Sequence, residues 1–294
     1  MKVINTAKKI MPGIKNAVLG FFRFIRRRKF LSVLLLLSCL LFYSMVEPHM
    51  VSIDNIRFSH PDIPAAFDGF KIAFISDIHA GKYYSRTRLE ELVNRINGLT
   101  PDLVLLGGDF VQGDSEVIPW CFVALAGLKA EYGVMGVLGN HDNWAGAPLV
   151  KKAMRDNGIT ILDNTSLWLS RHGARIKLGG VGDLQTDYQD IKKTTQDIVK
   201  QDFCLLVSHN PDYADMLTNN KIDLMLSGHT HGGQLTFFGL YAPILPTTSG
   251  QKYRSGLVRT EHTCVYITRG VGTITPPLRF FAPPEVSLIV LWSG

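Results

Sequence analysis

Short apolar runs recur along residues 71–291, and they limit the folds open to this chain more than any other feature. They are rich in Val, Ile, Leu and Phe, and several are followed by Gly, Asn or Asp, which is typical of buried strands. We predict strands at Lys71–Ile75, Leu103–Leu106, Val134–Leu138, Ile159–Leu162, Arg175–Leu178, Phe203–Val207, Leu224–Leu226, Cys264–Thr268 and Val286–Leu291.

Amphipathic segments between the early strands predict helices. Thr87-Arg88-Leu89-Glu90 is a capping-box pattern that begins a helix ending near Ile96. Further helices are expected over 115–128, 148–156 and 210–218, whereas the last third of the chain is mostly strand. This order predicts the α/β class, with two mixed β-sheets layered face to face and helices outside.

The positive charge of the chain is concentrated at its N-terminus. The 294 residues carry a net charge of +6, but residues 1–29 hold five Lys and four Arg and no acid, so +6 − 9 leaves −3 for the rest. The domain therefore lacks the basic surface expected of a protein that binds nucleic acid. A hydrophobic fraction of 46% against 19% charged residues excludes a disordered chain.

The uncharged run over residues 30–46 predicts a membrane helix. Its 17 residues span about 25 Å as a helix, close to the thickness of a bilayer core. Basic residues on the N-terminal flank alone predict a cytoplasmic N-terminus. We therefore expect a basic cytoplasmic segment (1–29), a transmembrane signal anchor (30–46), a connector (47–70) and one domain (71–294), as a single-pass protein of the inner cell membrane with an extracytoplasmic domain.

Other interpretations of this segment remain open. Arg27-Arg28-Lys29 resembles a twin-arginine export signal, but no small-x-small site for signal cleavage follows the apolar run. A lipoprotein signal ending at Cys39 is disfavoured because the apolar run continues beyond it. A buried core helix conflicts with the asymmetric flanks. The three domain cysteines, Cys121, Cys204 and Cys264, are an odd number, and burial as inert thiols reconciles them with export.

Polar side chains that bind metals follow five of the predicted strands. Because strand ends converge at one rim of a layered sheet, we expect these side chains to meet there. Carboxylate, imidazole and amide oxygens together suit hard or borderline divalent cations, and seven such groups are too many for one ion. The groups are Asp77, His79, Asp109, Asn140, His209, His229 and His231.

These motifs, in this order, resemble the calcineurin-like metallophosphoesterase superfamily over about residues 71–270. The motifs are Asp77-x-His79, Gly108-Asp109, Gly139-Asn140-His141-Asp142, His209 and Gly228-His229-x-His231. The longer Gly228–Gln234 stretch, Thr268–Gly272 and the anchor are similar to its membrane-associated bacterial branch of YaeI- and YkuE-type phosphodiesterases.

The resemblance implies two metal ions and a role for each motif residue. Asp77, His79 and His231 would hold one ion, Asn140, His209 and His229 would hold the other, and Asp109 would bridge both. His141 would donate a proton or hydrogen bond to the leaving oxygen, and Asp142 would orient it. The family often has an acid where this chain has Gln112, which puts in doubt any orienting role of that position. Arg269, which ends a predicted strand, is a candidate contact for substrate phosphate.

The implied reaction is hydrolysis of a phosphodiester by a metal-bridging hydroxide. Two cations about 3.5–4 Å apart lower the pKa of a bridging water, and both neutralise the charge that develops at phosphorus. Manganese is favoured slightly, with iron and zinc as alternatives. The expected substrate is a lipid-linked or envelope-derived diester. The alternative substrate is UDP-2,3-diacylglucosamine, which a cytoplasmic pyrophosphatase would cleave. A catalytically inactive membrane scaffold is the third hypothesis. The oligomeric state is not predicted.

Overall fold

The N-terminal helix and the remainder of the chain are two separate structural units. The computed structural model describes the backbone of residues 2–294 and the side chains of residues 20, 23 and 26–294. Helix α1 spans Lys2–Val46, and the stretch Arg26–His49 is long and apolar enough, by length and composition, to cross a membrane. Residues 46–294 form the second compact unit, which we call the domain.

The domain contains twelve strands and four helices within the part of the chain that the structure describes. The helices are α2 (Arg86–Asn97), α3 (Ile118–Leu125), α4 (Asn140–Asp156) and the short α5 (Lys192–Thr195). The strands are β1 (Ser52–His60), β2 (Lys71–Ile75), β3 (Leu103–Leu106), β4 (Val134–Gly136), β5 (Thr160–Ile161), β6 (Thr165–Arg171), β7 (Ala174–Gly180), β8 (Cys204–Val207), β9 (Leu224–Ser227), β10 (Gly256–Arg259), β11 (Cys264–Ile267) and β12 (Glu285–Ser293).

The strands form two mixed six-stranded sheets. The first sheet has the order β1-β12-β2-β3-β4-β5, and the second has the order β10-β11-β9-β8-β7-β6. Strands β2 to β5 are parallel, as are β7, β8, β9 and β11, whereas β12 runs antiparallel to β2. Both sheets therefore contribute the carboxyl ends of parallel strands, where loops that carry functional residues usually lie.

Alternating side chains of each strand enter different cores. In β2, Ile72 and Phe74 pack between the two sheets, whereas Ala73 and Ile75 pack under the helices. In β8, Leu205 faces the inter-sheet core and its neighbours face a third cluster on the outer side. Strands buried on both faces read as continuous apolar runs, which explains why the sequence reveals them. The predicted α/β sandwich of two mixed sheets is confirmed.

The pattern of apolar runs does not predict three strands, all of which lie at the edges of the sheets. Strands β1, β6 and β10 are only partly buried, and their sequences mix apolar with polar residues. The connector expected over residues 47–70 is extended over Ser52–His60, where it pairs in parallel with β12. The helix expected over 210–218 is instead a 3₁₀ turn, Pro211–Met216, which Asn210 caps through a bond from the Asp212 amide.

Candidate metal centre

The seven predicted ligands all follow the carboxyl ends of strands. Asp77 and His79 follow β2, and Asp109 follows β3. Asn140 begins α4 just after β4, whereas His209, His229 and His231 follow β8 and β9 of the second sheet. All seven side chains are buried. The rim therefore brings together candidate ligands that follow strands of both sheets.

Asp77, His79 and His231 form the first ligand group. Their ligand atoms lie within 4.8 Å of one another. The Nε2 atoms of His79 and His231 are 3.0 Å apart, and His231 Nε2 lies 3.5 Å from Asp77 Oδ1. Two imidazole nitrogens that point at each other beside a carboxylate form a donor set that suits a divalent cation.

The second ligand group contains Asp109, His209, His229 and Asn140. His209 Nε2 lies 3.2 Å from both Asn140 Oδ1 and His229 Nδ1, and 3.3 Å from Asp109 Oδ2. The other ring nitrogen of His209 donates to the Gly107 carbonyl at 2.8 Å. This bond fixes the orientation of the ring and leaves Nε2 to bind a metal, an arrangement common among metal-binding histidines.

Asp109 lies between the two groups. Its Oδ2 atom is 3.5 Å from His79 Nε2 of the first group and 3.3 Å from His209 Nε2 of the second. Its Oδ1 atom accepts a bond of 2.9 Å from the His141 amide, which orients the carboxylate. One carboxylate oxygen thus faces ligands of both groups, which is the geometry required of a bridging ligand.

The backbone at the ligands is unusual. Five of the seven have a positive φ: Asp77 (55°), His79 (47°), Asp109 (54°), His229 (69°) and His231 (51°). Residues other than Gly seldom adopt this conformation, and its occurrence is concentrated at functional sites. It turns each side chain toward the rim immediately after a strand ends.

Two glycines allow these turns to approach the ligands closely. A Cβ atom at Gly139 would lie 2.2 Å from Asp109 Oδ1, and one at Gly228 would lie 2.2 Å from Asp77 Oδ2. A Cβ atom at Gly228 would also lie 2.1 Å from Ser76 Oγ, so any other residue at these two positions would displace a carboxylate or the Ser76 side chain. The amide of His229, next to Gly228, also donates to both oxygens of Asp77 at 3.0 Å.

Burial and charge set the protonation of the ligands. Burial lowers the pKa of His79 to about 3, and burial and the nearby Arg279 together hold the pKa of His231 well below its usual range. Both imidazoles are therefore neutral near pH 7 and offer a lone pair. Burial also lowers the pKa of His209, but the Asp109 carboxylate outweighs it and raises that pKa well above the usual value. A cation that binds here replaces the proton on His209.

His141 and Asp142 have different surroundings. His141 Nδ1 lies 3.1 Å from the Gln112 carbonyl, and its ring meets the rings of His79 and Trp144 edge to face. The Gln112 backbone, rather than an acid at that position, therefore orients His141.

The Asp142 carboxylate contacts backbone rather than the His141 ring. It accepts from the amides of Phe110 (2.8 Å), Val111 (3.2 Å) and Gly139 (3.0 Å). These contacts differ from the orienting role expected of Asp142 and make it a support for the loop that carries Asp109.

Arg269 is bound by two carboxylates. Its guanidinium donates to Asp54 at 2.8 Å and forms an ion pair of 2.5 Å with Glu285. It also donates to the Pro283 carbonyl at 2.8 Å. These contacts favour a structural role over the phosphate contact expected from the sequence.

Two further residues, which the sequence motifs do not include, lie beside the second ligand group. Gln185 Nε2 lies 3.3 Å from His229 Nε2, and the buried Asp183 accepts from the amides of Gln185 and Thr186, both at 3.0 Å. Asp183 follows Gly180-Val181-Gly182 after β7, which is the same pattern of strand, glycine and acid that reveals Asp109. The sequence therefore carries a signal for Asp183.

A third missed residue, Arg279, lies beneath the first ligand group and is fully buried. Its guanidinium donates to the carbonyls of Arg269 (2.8 Å), Gly272 (2.7 Å), Ala282 (2.7 Å) and, at 3.4 Å, His231. No local pattern marks such a residue, because all these partners are backbone carbonyls, which any residue supplies.

The geometry agrees with a comparison with known families. The model of the calcineurin-like phosphoesterase family matches residues 70–233, more than half of the chain. The chain belongs to this family. Members of this family typically bind two divalent metals, and the two ligand groups that share Asp109 fit such a pair. The chain is accordingly a phosphoester hydrolase by family.

Bacterial and animal relatives have the same domain. The metallophosphoesterase YkuE of Bacillus subtilis is 34% identical over 84% of this chain and 88% of its own length. Phosphodiesterase YaeI of Escherichia coli is 30% identical over 76% of this chain and 82% of its own. A transmembrane protein with a metallophosphoesterase domain from Danio rerio is 29% identical over 78% of this chain and 54% of its own. The suspected superfamily and branch are confirmed.

Proposed function

We propose that this phosphoesterase hydrolyses phosphodiesters with two divalent metal ions. The observation that carries the proposal is the position of Asp109 Oδ2, within 3.5 Å of His79 Nε2 and 3.3 Å of His209 Nε2. The name of the relative YaeI supports a diester as the substrate. When bound, two such ions activate a water and neutralise the charge of the transferring phosphoryl group.

The residues of the chain have separate roles in binding the ions and in assisting the leaving group. Asp77, His79 and His231 would hold one ion, Asn140, His209 and His229 would hold the other, and Asp109 would contribute to both. His141, whose Nδ1 atom lies 3.1 Å from the Gln112 carbonyl, would donate a proton or a hydrogen bond to the leaving alkoxide oxygen. A diester releases a basic alkoxide, so this proton transfer accelerates the reaction by about 10²–10⁴-fold.

We further propose that α1 anchors the enzyme in the cell membrane, with a cytoplasmic N-terminus and an extracytoplasmic domain. The apolar stretch Arg26–His49 and the basic flank support this orientation. A lipid-linked or envelope-derived diester is then the substrate within reach, and manganese is the favoured metal. Cys121, Cys204 and Cys264 are all unpaired. This observation favours a second candidate, the cytoplasmic cleavage of UDP-2,3-diacylglucosamine.

Metal removal and replacement tests the chemistry. The full chain in detergent micelles is stripped with a chelator, reloaded with Mn, Fe or Zn, and assayed on bis(p-nitrophenyl) phosphate and on the corresponding monoester. We expect two bound ions per chain by mass spectrometry, loss of turnover on chelation and a preference for the diester. Asp109→Asn should abolish turnover, whereas the matched exposed variant Asp156→Asn should not.

Two outcomes contradict these proposals. Full diester turnover after complete chelation excludes the metal mechanism, and the absence of any metal-dependent turnover favours the scaffold hypothesis. A topology reporter fused after Gly294 separates the two substrates, because a reporter active only outside the cytoplasm excludes the cytoplasmic pyrophosphatase.

A further inference from the structure

Residues 235–244, which we call the aromatic loop, expose large apolar side chains next to the metal centre. Phe237 and Phe238 are each 61% exposed, Leu240 is 83% exposed and Ile244 is 80% exposed. The loop reads Leu-Thr-Phe-Phe-Gly-Leu-Tyr-Ala-Pro-Ile and contains no charged residue. Soluble proteins rarely expose a contiguous patch of this kind unless it binds a partner or a membrane.

The aromatic loop is a hydrogen-bonded turn. The Phe237 amide donates to the Tyr241 carbonyl at 2.7 Å, and the Leu240 amide donates to the Phe237 carbonyl at 3.0 Å. The Thr236 hydroxyl accepts from the Gly239 amide at 2.8 Å. Because the backbone is held by its own bonds, the exposed side chains are presented in a fixed arrangement.

The aromatic loop lies close to the N-terminal end of the domain, where the chain leaves the apolar helix. Glu47 directly follows Val46, the last residue of α1. Its carboxylate accepts from the amides of Phe281 at 2.7 Å and Ala282 at 2.8 Å. The Phe281 ring in turn packs on Phe238, with centroids 5.0 Å apart. Membrane attachment through α1 would therefore hold the aromatic loop close to the lipid surface.

The aromatic loop is also joined to the metal centre. A cavity of about 170 Å³ lies between the loop and the first ligand group; its lining includes Leu235, Ile244, Ile274 and the ligand His231. At Gly233, two residues after His231, an added Cβ atom would lie 2.2 Å from the Ala242 side chain, so the loop packs tightly on the ligand segment. The position of the loop therefore fixes which side of the centre faces the membrane.

We propose that the aromatic loop inserts into the lipid bilayer that holds α1 and presents the His231 side of the metal centre to the membrane surface. Aromatic side chains favour the membrane interface, and a loop that carries no charged side chain of its own enters it more readily than a charged loop. The inference rests on the membrane attachment proposed above and does not depend on the hydrolytic reaction.

Quenching of a fluorophore by brominated lipids tests the insertion. The full chain with Leu240→Cys, in a background of Cys39→Ser and Cys264→Ser, is labelled with an environment-sensitive dye. It is then reconstituted in nanodiscs of phosphatidylethanolamine and phosphatidylglycerol with or without brominated acyl chains. The matched control carries Glu261→Cys, in the hairpin before β11 and so at the opposite end of that strand from the metal centre.

A third sample keeps Cys39 as the labelled site and reports whether α1 is in the bilayer. We expect brominated lipids to quench the labels at positions 39 and 240 several-fold more than the label at position 261. Equal quenching at positions 240 and 261, with strong quenching at position 39, refutes the insertion while leaving the anchor in place. Absence of quenching at position 39 removes the attachment on which the inference rests and refutes it as well.

Two further readouts distinguish insertion from self-association and from a loss of catalysis. If copper-catalysed oxidation cross-links two copies through position 240 and lipids do not quench the label, the patch binds a second copy and the proposal fails. The Leu240→Cys chain should hydrolyse the soluble chromogenic diester at the parental rate, because Leu240 does not contact a ligand. This rate keeps a failure of the proposed chemistry distinct from a failure of the insertion.

Discussion

Asp142 and His141 are adjacent in sequence, yet the structure predicts that replacing Asp142 lowers stability and metal retention, whereas replacing His141 lowers kcat. The Asp142→Ala variant leaves the buried amides of Phe110, Val111 and Gly139 without an acceptor. Each unsatisfied buried amide costs about 1–3 kcal/mol, and the three are too close for their costs to add fully. Burial and the Asp109 charge raise the pKa of Asp142 well above its usual value, so removing the carboxyl relieves some unfavourable energy. We expect a net loss of about 2–5 kcal/mol in the free energy of unfolding.

The measurement is urea unfolding of the full chain in detergent micelles, followed by tryptophan fluorescence, together with the metal content after desalting. Asp142→Ala should lower both the unfolding midpoint and the number of ions retained, because the loop that holds Asp109 loses its support. His141→Ala should retain both ions and the parental midpoint, while kcat on a diester that releases an alkoxide rather than p-nitrophenolate falls by about 10²–10⁴-fold. If Asp142→Ala changes the unfolding free energy by less than about 0.5 kcal/mol and lowers kcat as His141→Ala does, then Asp142 acts through His141 and our reasoning is refuted.

Two other predictions follow from close packing and from burial. Gly228→Ala should lose metal and diester turnover, because the new Cβ would lie 2.2 Å from Asp77 Oδ2. The control Gly98→Ala, whose Cβ would meet no atom closer than 3.3 Å, should retain both. Equal metal content in the two variants would contradict this prediction. Burial raises the pKa of Asp223 to about 6. The native state therefore binds this proton more tightly than the unfolded chain does. As a result, the free energy of unfolding falls as the pH rises from about 4 to about 6. The two pKa units correspond to roughly 3 kcal/mol, which partial exposure reduces to about 1–2 kcal/mol. Asp223→Asn, which keeps an acceptor for the Cys204 amide, should remove this slope in urea unfolding measured across that pH range, and an unchanged slope would exclude Asp223 as its source.

The sequence predicts the central strands and the ligands because the two signals coincide. A strand such as β3, buried on both faces, appears as an uninterrupted apolar run, and the residues that follow the run lie at the rim. Asp109 is therefore visible from its position alone. Edge strands give a weaker signal: β1 is half exposed and carries Asp54, Asn55 and Arg57 among its apolar residues. The three strands that the sequence does not predict lie at the edges of the sheets, where each is partly buried and partly exposed to solvent.

What the sequence does not reveal is how the ligand loops are held. Five ligands occupy left-handed backbone conformations that cost free energy, and they persist only where the surroundings fix them. The Asp77 amide donates to the Gly108 carbonyl at 2.9 Å, the His79 amide to the Asp109 carbonyl at 3.0 Å, and the Gly272 amide to the Asp77 carbonyl at 2.7 Å. All three bonds cross between loops that are distant in sequence, so no local pattern encodes them. Because these bonds join backbone atoms, they stabilise the ligand loops without using the side-chain atoms that bind a metal.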